Sequence, residues 1–144
     1  LIGAMLAGKA FANSPVAAVH ALAYPIGGTF HISHGLSNSL VLPYVLRFNS
    51  VDVKAAKNYA ELAPYVFPKL DINKGTQAVC AEFIDKLEDL SKRLGLPQKL
   101  REVDIPKDAC EKMASDAMKQ TRLLVNNPRE VTEVDALNIY QSAW

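Results

Sequence analysis

His20-Ala21-Leu22-Ala23-Tyr24-Pro25-Ile26-Gly27-Gly28-Thr29-Phe30-His31-Ile32-Ser33-His34-Gly35 is the stretch on which the reading of this 144-residue chain turns. It holds all three histidines and lies in a segment almost without charge. From Leu1 to Arg47 the only Lys, Arg, Asp or Glu residues are Lys9 and Arg47. An apolar region that keeps three imidazoles and a run of glycines has the composition of a site rather than of plain core. His20 near the end of one helix and His34 at the start of the next converge if the intervening segment makes a tight return, which Gly27 and Gly28 ease sterically.

Working outward, apolar residues recur at helical spacing and no alternating run marks a strand, so the chain reads as all-α, a helical bundle. Leu1–Ala12 forms a first helix. Pro15 suits the first turn of a second, capped by Ser14 and running towards Tyr24, where Pro25 and the Gly27-Gly28 pair stop it. Ser33 caps a third helix from about Gly35 to Phe48, kinked at Pro43. Ser50 caps a fourth, carrying Val53, Ala56, Ala60 and Ala63 inwards and ending near Pro64. Thr76–Leu94 is the clearest amphipathic helix, with Val79, Phe83, Leu87, Leu90 and Leu94 on one face and Gly95 and Pro97 at its end. Pro106 and Asp108 open a helix reaching Arg122, Asn126-Asn127-Pro128-Arg129 breaks it, and Thr132 with Asp135 forms a capping box for a closing helix.

With 49% hydrophobic and 22% charged residues and a net charge of +1, the sequence is one globular domain, residues 1–144. The basic residues are interleaved with acidic ones, which excludes the basic stripe a nucleic-acid surface needs. Leu1–Phe11 is too short to span a bilayer, which takes ~20 apolar residues. Cys80 and Cys110, with no Cys or His beside them at metal-ligand spacing, read as two reduced, half-buried thiols of a cytoplasmic protein. The chain opens at Leu1 inside a helical pattern and without an initiator methionine, and the expectation is therefore a piece of a longer protein.

A catalytic metal site takes three or more protein ligands, and here only His20 and His34 are well placed. No Asp or Glu lies in the first fifty residues, so remaining ligands of any metal come from outside this chain. The residues alone leave two readings open: a histidine on an apolar face is a ligand, or a core residue donating to a carbonyl. His31 reads as a loop side chain.

The strings Gly8-Lys9-Ala10-Phe11-Ala12-Asn13, Val19 through Gly28, His34-Gly35-Leu36-Ser37-Asn38, Leu42-Pro43, Arg47-Phe48-Asn49 and Asn127-Pro128-Arg129-Glu130-Val131-Thr132 together resemble the C-terminal helical domain of iron-containing (group III) alcohol dehydrogenases, of dehydroquinate synthase-like architecture. The resemblance covers essentially the whole chain. It implies an N-terminal dinucleotide-binding domain with a Gly-Gly-Gly-Ser phosphate loop, absent from this chain. It also implies a divalent metal, Fe(2+) or Zn(2+), in the cleft between domains, with NAD or NADP as hydride carrier. Two ligands, an Asp and a His three residues apart, come from outside the matched part. By the match His20 and His34 are the other two. Tyr24 stands where the family often has a third histidine that helps relay a proton; a phenol, of reference pKa ~10, is a poorer base than imidazole at neutral pH. Phe11 and Leu123 match positions lining the substrate pocket, or are ordinary core.

The function so implied is oxidation of a small alcohol to its aldehyde or ketone and the reverse, in a homo-oligomer, with this part inactive alone. A maleylacetate reductase-like, metal-independent oxidoreductase is the alternative within the same architecture, and retention of both histidines argues against it. A non-catalytic helical binding module is the alternative outside it. That module predicts no exposed apolar face, whereas Leu1–Val45 is hydrophobic on nearly all sides and predicts a large patch covered by another domain or subunit.

Overall fold

The computed structural model describes residues 1–144 and contains helices and turns with no strand. Eight α-helices follow in order: α1 (Ile2–Asn13), α2 (Ala18–Phe30), α3 (His34–Asn49), α4 (Val53–Val66), α5 (Thr76–Arg93), α6 (Ala109–Met118), α7 (Thr121–Leu124) and α8 (Glu133–Ala143). Short 3₁₀ turns at Ile72–Lys74 and Leu100–Val103 join the long elements.

The main core is built by α2, α3, α6 and α8. Leu22, Ile26, Leu40, Val41, Val45, Met113, Ile139 and Tyr140 meet there with little or no exposed surface. Alanines at 18, 21, 114, 117, 136 and 143 join them, so backbones approach closely at the crossings. A second layer pairs α4 with α5 through Ala56, Ala63, Val79, Cys80, Phe83 and Ile84. Arg47 ties the layers together, its guanidinium bonding Asp85 at 2.8 Å and Glu88 as well.

The hydrophobic period identifies the helices, while several of their ends differ from the sequence expectation. Ser14 does not cap α2: it closes α1 in extended conformation, as a residue preceding proline prefers, and α2 begins at Ala18 after Ala17, with no side-chain cap. Pro25 and Gly27-Gly28 do not end α2. The helix runs on to Phe30 because Pro25 and Ile26 are buried against the core, where packing outweighs the lost backbone donor. It stops at His31, whose φ of 56° is left-handed.

Asp52, not Ser50, caps α4, accepting from the Ala55 N–H at 2.8 Å, and Pro64 is carried inside that helix's last turn. The helix expected to reach Arg122 ends at Met118 and restarts as α7. Ser33 is the first flanking residue of α3, but its hydroxyl makes no cap bond. The Thr132–Asp135 capping box is present as read. Cys80 and Cys110 are unpaired and fully buried rather than half-buried.

α1 buries none of its residues and leaves Ile2, Met5, Leu6 and Phe11 exposed, the apolar surface expected of the first segment. No single helix is long and apolar enough to cross a membrane, and α1 and α2 are bent 110° apart.

Candidate metal centre

The three-residue turn His31-Ile32-Ser33 folds α3 back onto α2. Two local features make so short a return possible. Gly27 lies where a Cβ would meet the Ile32 carbonyl oxygen at 3.3 Å and the Ser37 Oγ at 3.6 Å, so a bare glycine lets the turn sit on the helix. The buried Ser37 hydroxyl then lies 3.2 Å from the Ile32 carbonyl and 3.0 Å from that of Ser33, pinning the turn to the first turn of α3.

This return brings His20 and His34 together, with ring centroids 5.1 Å apart at a 52° tilt. Tyr24, one turn after His20, joins them with its ring 6.4 Å from that of His34. Two imidazoles on one ion, each nitrogen ~2.1 Å from it, set their centroids roughly 5 Å apart near a tetrahedral angle, and the ring spacing of this pair fits that arrangement. No group of three or more His, Cys, Asp or Glu side chains gathers anywhere in the chain.

His20 is half-buried, and that burial, followed by the charge of neighbouring His34, pushes its pKa below the usual histidine value. A neutral imidazole is the form that binds metal. His34 is exposed, and its Nε2 lies 3.0 Å from Asn38 Nδ2. Tyr24 is 44% exposed, its ring at the molecular surface rather than in the core.

The backbone beneath this cluster is fixed from the far end of the chain. Tyr140, wholly buried on α8, donates its hydroxyl to the Leu22 carbonyl at 2.6 Å, between His20 and Tyr24 in sequence and one turn before Pro25. Asn126, just past α7, donates to the Val16 carbonyl at 3.1 Å and so holds the linker that starts α2. Asn127 and the buried Asn49 exchange amide hydrogen bonds of 2.7 and 3.1 Å, securing the same loop to the end of α3.

Of the two residues read as substrate wall, Leu123 is half-buried against the main core, and Phe11 stands 57% exposed on α1. His31 is an exposed turn residue. Sequence reasoning assigns no role to Asn38, Ser37 or Tyr140. For Asn38 the available signal is its position four residues after His34, the spacing at which side chains meet on a helix.

Comparison with known proteins identifies the family. The model of the Fe-containing alcohol dehydrogenase family, C-terminal part, matches residues 1–144. Long-chain-alcohol dehydrogenase 1 of Geobacillus thermodenitrificans is 39% identical over 99% of this chain and 35% of its own length. Lactaldehyde reductase of Escherichia coli is 30% identical over 99% of this chain and 36% of its own. Among solved structures, a 1,3-propanediol oxidoreductase superposes with a TM-score of 0.88 at 30% identity, covering 96% of this chain and 35% of that one. An alcohol dehydrogenase from Oenococcus oeni gives the same TM-score and identity over 97% and 36%. The chain thus spans little more than a third of the relatives it matches. With a match running from the first residue to the last and helices that superpose along it, this chain belongs to the iron-containing alcohol dehydrogenase family, as a C-terminal domain of it.

Proposed function

We propose that this chain supplies the metal-facing and substrate-facing part of an NAD(P)-dependent alcohol dehydrogenase. The observation carrying this reading is the convergence of His20 and His34 at 5.1 Å, two nitrogen donors of a larger set. A dinucleotide-binding domain outside the chain would bring the phosphate loop and the remaining ligands. The overall reaction is alcohol plus NAD(P)⁺ to aldehyde or ketone plus NAD(P)H and a proton, or its reverse.

When bound, a divalent metal, Fe(2+) or Zn(2+), supplies Lewis acidity to the substrate oxygen, and NAD(P) carries the hydride. The chain's own residues do the rest. His20 and His34 offer imidazole nitrogens, and burial favours the neutral form of His20. Tyr24 stands beside them with an exposed phenol able to donate a hydrogen bond to a substrate oxygen or hold its proton. Leu123, half-buried on the core, and Phe11, exposed on α1, are the apolar side chains that the family match assigns to the substrate wall, a chemistry suited to an aliphatic chain.

Paired imidazoles stand against the metal-independent, maleylacetate reductase-like alternative. The exposed apolar side chains of α1 stand against a self-sufficient binding module. They support contact with another domain or with a further copy in a homo-oligomer.

The test is metal content and NAD(P)-linked alcohol oxidation in the full-length protein, with His20→Ala and His34→Ala beside wild type. Loss of bound metal together with activity is expected in both variants. Unchanged metal content in both overturns the ligand assignment, and bound metal without any NAD(P)-linked turnover turns the reading to a non-catalytic module.

A further inference from the structure

We propose that Asn38 is a positioning residue that holds neutral His34 in the tautomer with its proton on Nδ1, so that Nε2 carries its lone pair before any metal arrives. Asn38 Nδ2 lies 3.0 Å from His34 Nε2 and 3.1 Å from the His34 carbonyl oxygen, so its two hydrogens serve two acceptors. The orientation of the amide is decided by that second contact. Turned over, the amide would set Oδ1 against the carbonyl oxygen, two acceptors facing each other.

With an N–H aimed at it, Nε2 must be the acceptor nitrogen, and the ring proton belongs on Nδ1. Which nitrogen of a histidine carries the proton is set by the hydrogen bond the other nitrogen makes. The remaining amide atom supports the same conclusion. Asn38 Oδ1 is buried without a hydrogen-bond partner, a cost that an alanine or leucine at this position would avoid.

For a metal to take this lone pair the imidazole turns away from the amide, which keeps its bond to the His34 carbonyl. The purpose of this arrangement rests on His34 being a metal ligand; the tautomer itself does not.

The experiment is long-range ¹H–¹⁵N NMR of the full-length protein, stripped of metal with a chelator and labelled with ¹⁵N-histidine. His34 is assigned by the signals lost in His34→Ala. In wild type the His34 Nδ1 resonance should be the protonated one and Nε2 the bare one. In Asn38→Ala the ratio of tautomers should move towards the Nε2–H form by about fivefold, the usual worth of one hydrogen bond. A wild-type His34 found mainly as Nε2–H overturns the proposal, and so does a ratio unmoved in Asn38→Ala. The wild-type measurement decides the matter even where the variant does not fold, and Asn38→Leu serves as a second substitution. A role limited to steadying α3 would lower the melting temperature and leave the tautomer ratio alone. Retained Zn(2+) binding in His34→Ala would remove the ligand reading without touching this result.

Discussion

Replacing Tyr140 by phenylalanine removes one oxygen and leaves the ring, so it isolates a single hydrogen bond beneath the histidine pair. Tyr140 has no exposed surface and its hydroxyl reaches the Leu22 carbonyl at 2.6 Å, across 118 residues of sequence. Pro25 lacks the N–H that would otherwise bond back one turn, so α2 is already short of a donor in this region. No cavity larger than the lost oxygen opens, and the packing term is small. Leu22 lies inside α2, where its carbonyl also faces the Ile26 N–H, so the cost is the net worth of one hydrogen bond, about 0.5–1.5 kcal/mol. Burial raises the Tyr140 pKa far above the ordinary phenol value, so the group stays a neutral donor throughout the range in which the protein is folded. The loss should therefore be the same at pH 6 and pH 9. Urea unfolding followed by circular dichroism reads it as a lower midpoint at unchanged slope, or as a fall of several degrees in melting temperature. A variant within about 0.3 kcal/mol of wild type would refute the argument, because it would mean that the Leu22 carbonyl does not depend on α8.

Neighbouring glycines in α2 should respond oppositely to alanine. Gly28→Ala, with nothing within 4 Å of the new Cβ, should gain about 0.5–1 kcal/mol of helix propensity in thermal melts, while Gly27→Ala, facing the Ile32 carbonyl at 3.3 Å, should forfeit that gain. Asn127→Ala leaves the buried Asn49 Oδ1 without a partner, its Nδ2 keeping only the Tyr59 hydroxyl at 3.3 Å, and should cost about 2 kcal/mol in urea unfolding. A double-mutant cycle with Asn49→Ala should return a coupling of at least ~0.5 kcal/mol. Asp135→Asn should cost about 1 kcal/mol at neutral pH by weakening the α8 cap. Hydrogen bonds from the Thr132 hydroxyl and then the Thr132 N–H lower the Asp135 pKa in the folded state. The stability it adds is thus fully present above the unfolded carboxylate value of ~3.9 and is lost as pH falls through the lower folded value. Melting curves of the two proteins should converge in acid; a constant gap from pH 7 to pH 2 would contradict this.

The α5 helix and the Thr132–Asp135 box were legible in the sequence because both are local: a 3.6 period and a three-residue cap need no knowledge of distant contacts. The course of α2 was not, since Pro25 and Gly27-Gly28 are breakers by their own chemistry. Only burial of Pro25 and Ile26 in a helix packed on α3 and α6 carries α2 through them, and nothing near residue 25 announces Tyr140. Ser14 and Ser50 misled for a related reason. Each is followed closely by a competing determinant, Pro15 in one case and Asp52 in the other, and the closer determinant fixed the conformation.

The histidine pair stands between these cases. Spacing placed His20 and His34 on consecutive helices, but their approach depends on a turn that only Gly27 and Ser37 jointly allow. The features read as breakers are the ones that shape the site. Gly27 shortens the return so that the two rings meet, and Pro25 leaves α2 short of one donor in a region that α8 braces. A chain that replaced both with good helix formers would score better as a helix. It would press a Cβ against the turn that brings His34 back to His20. Intrinsic helix propensity in α2 is therefore given up for convergence of the two imidazoles, which is the ordering expected where a segment serves a site before it serves stability.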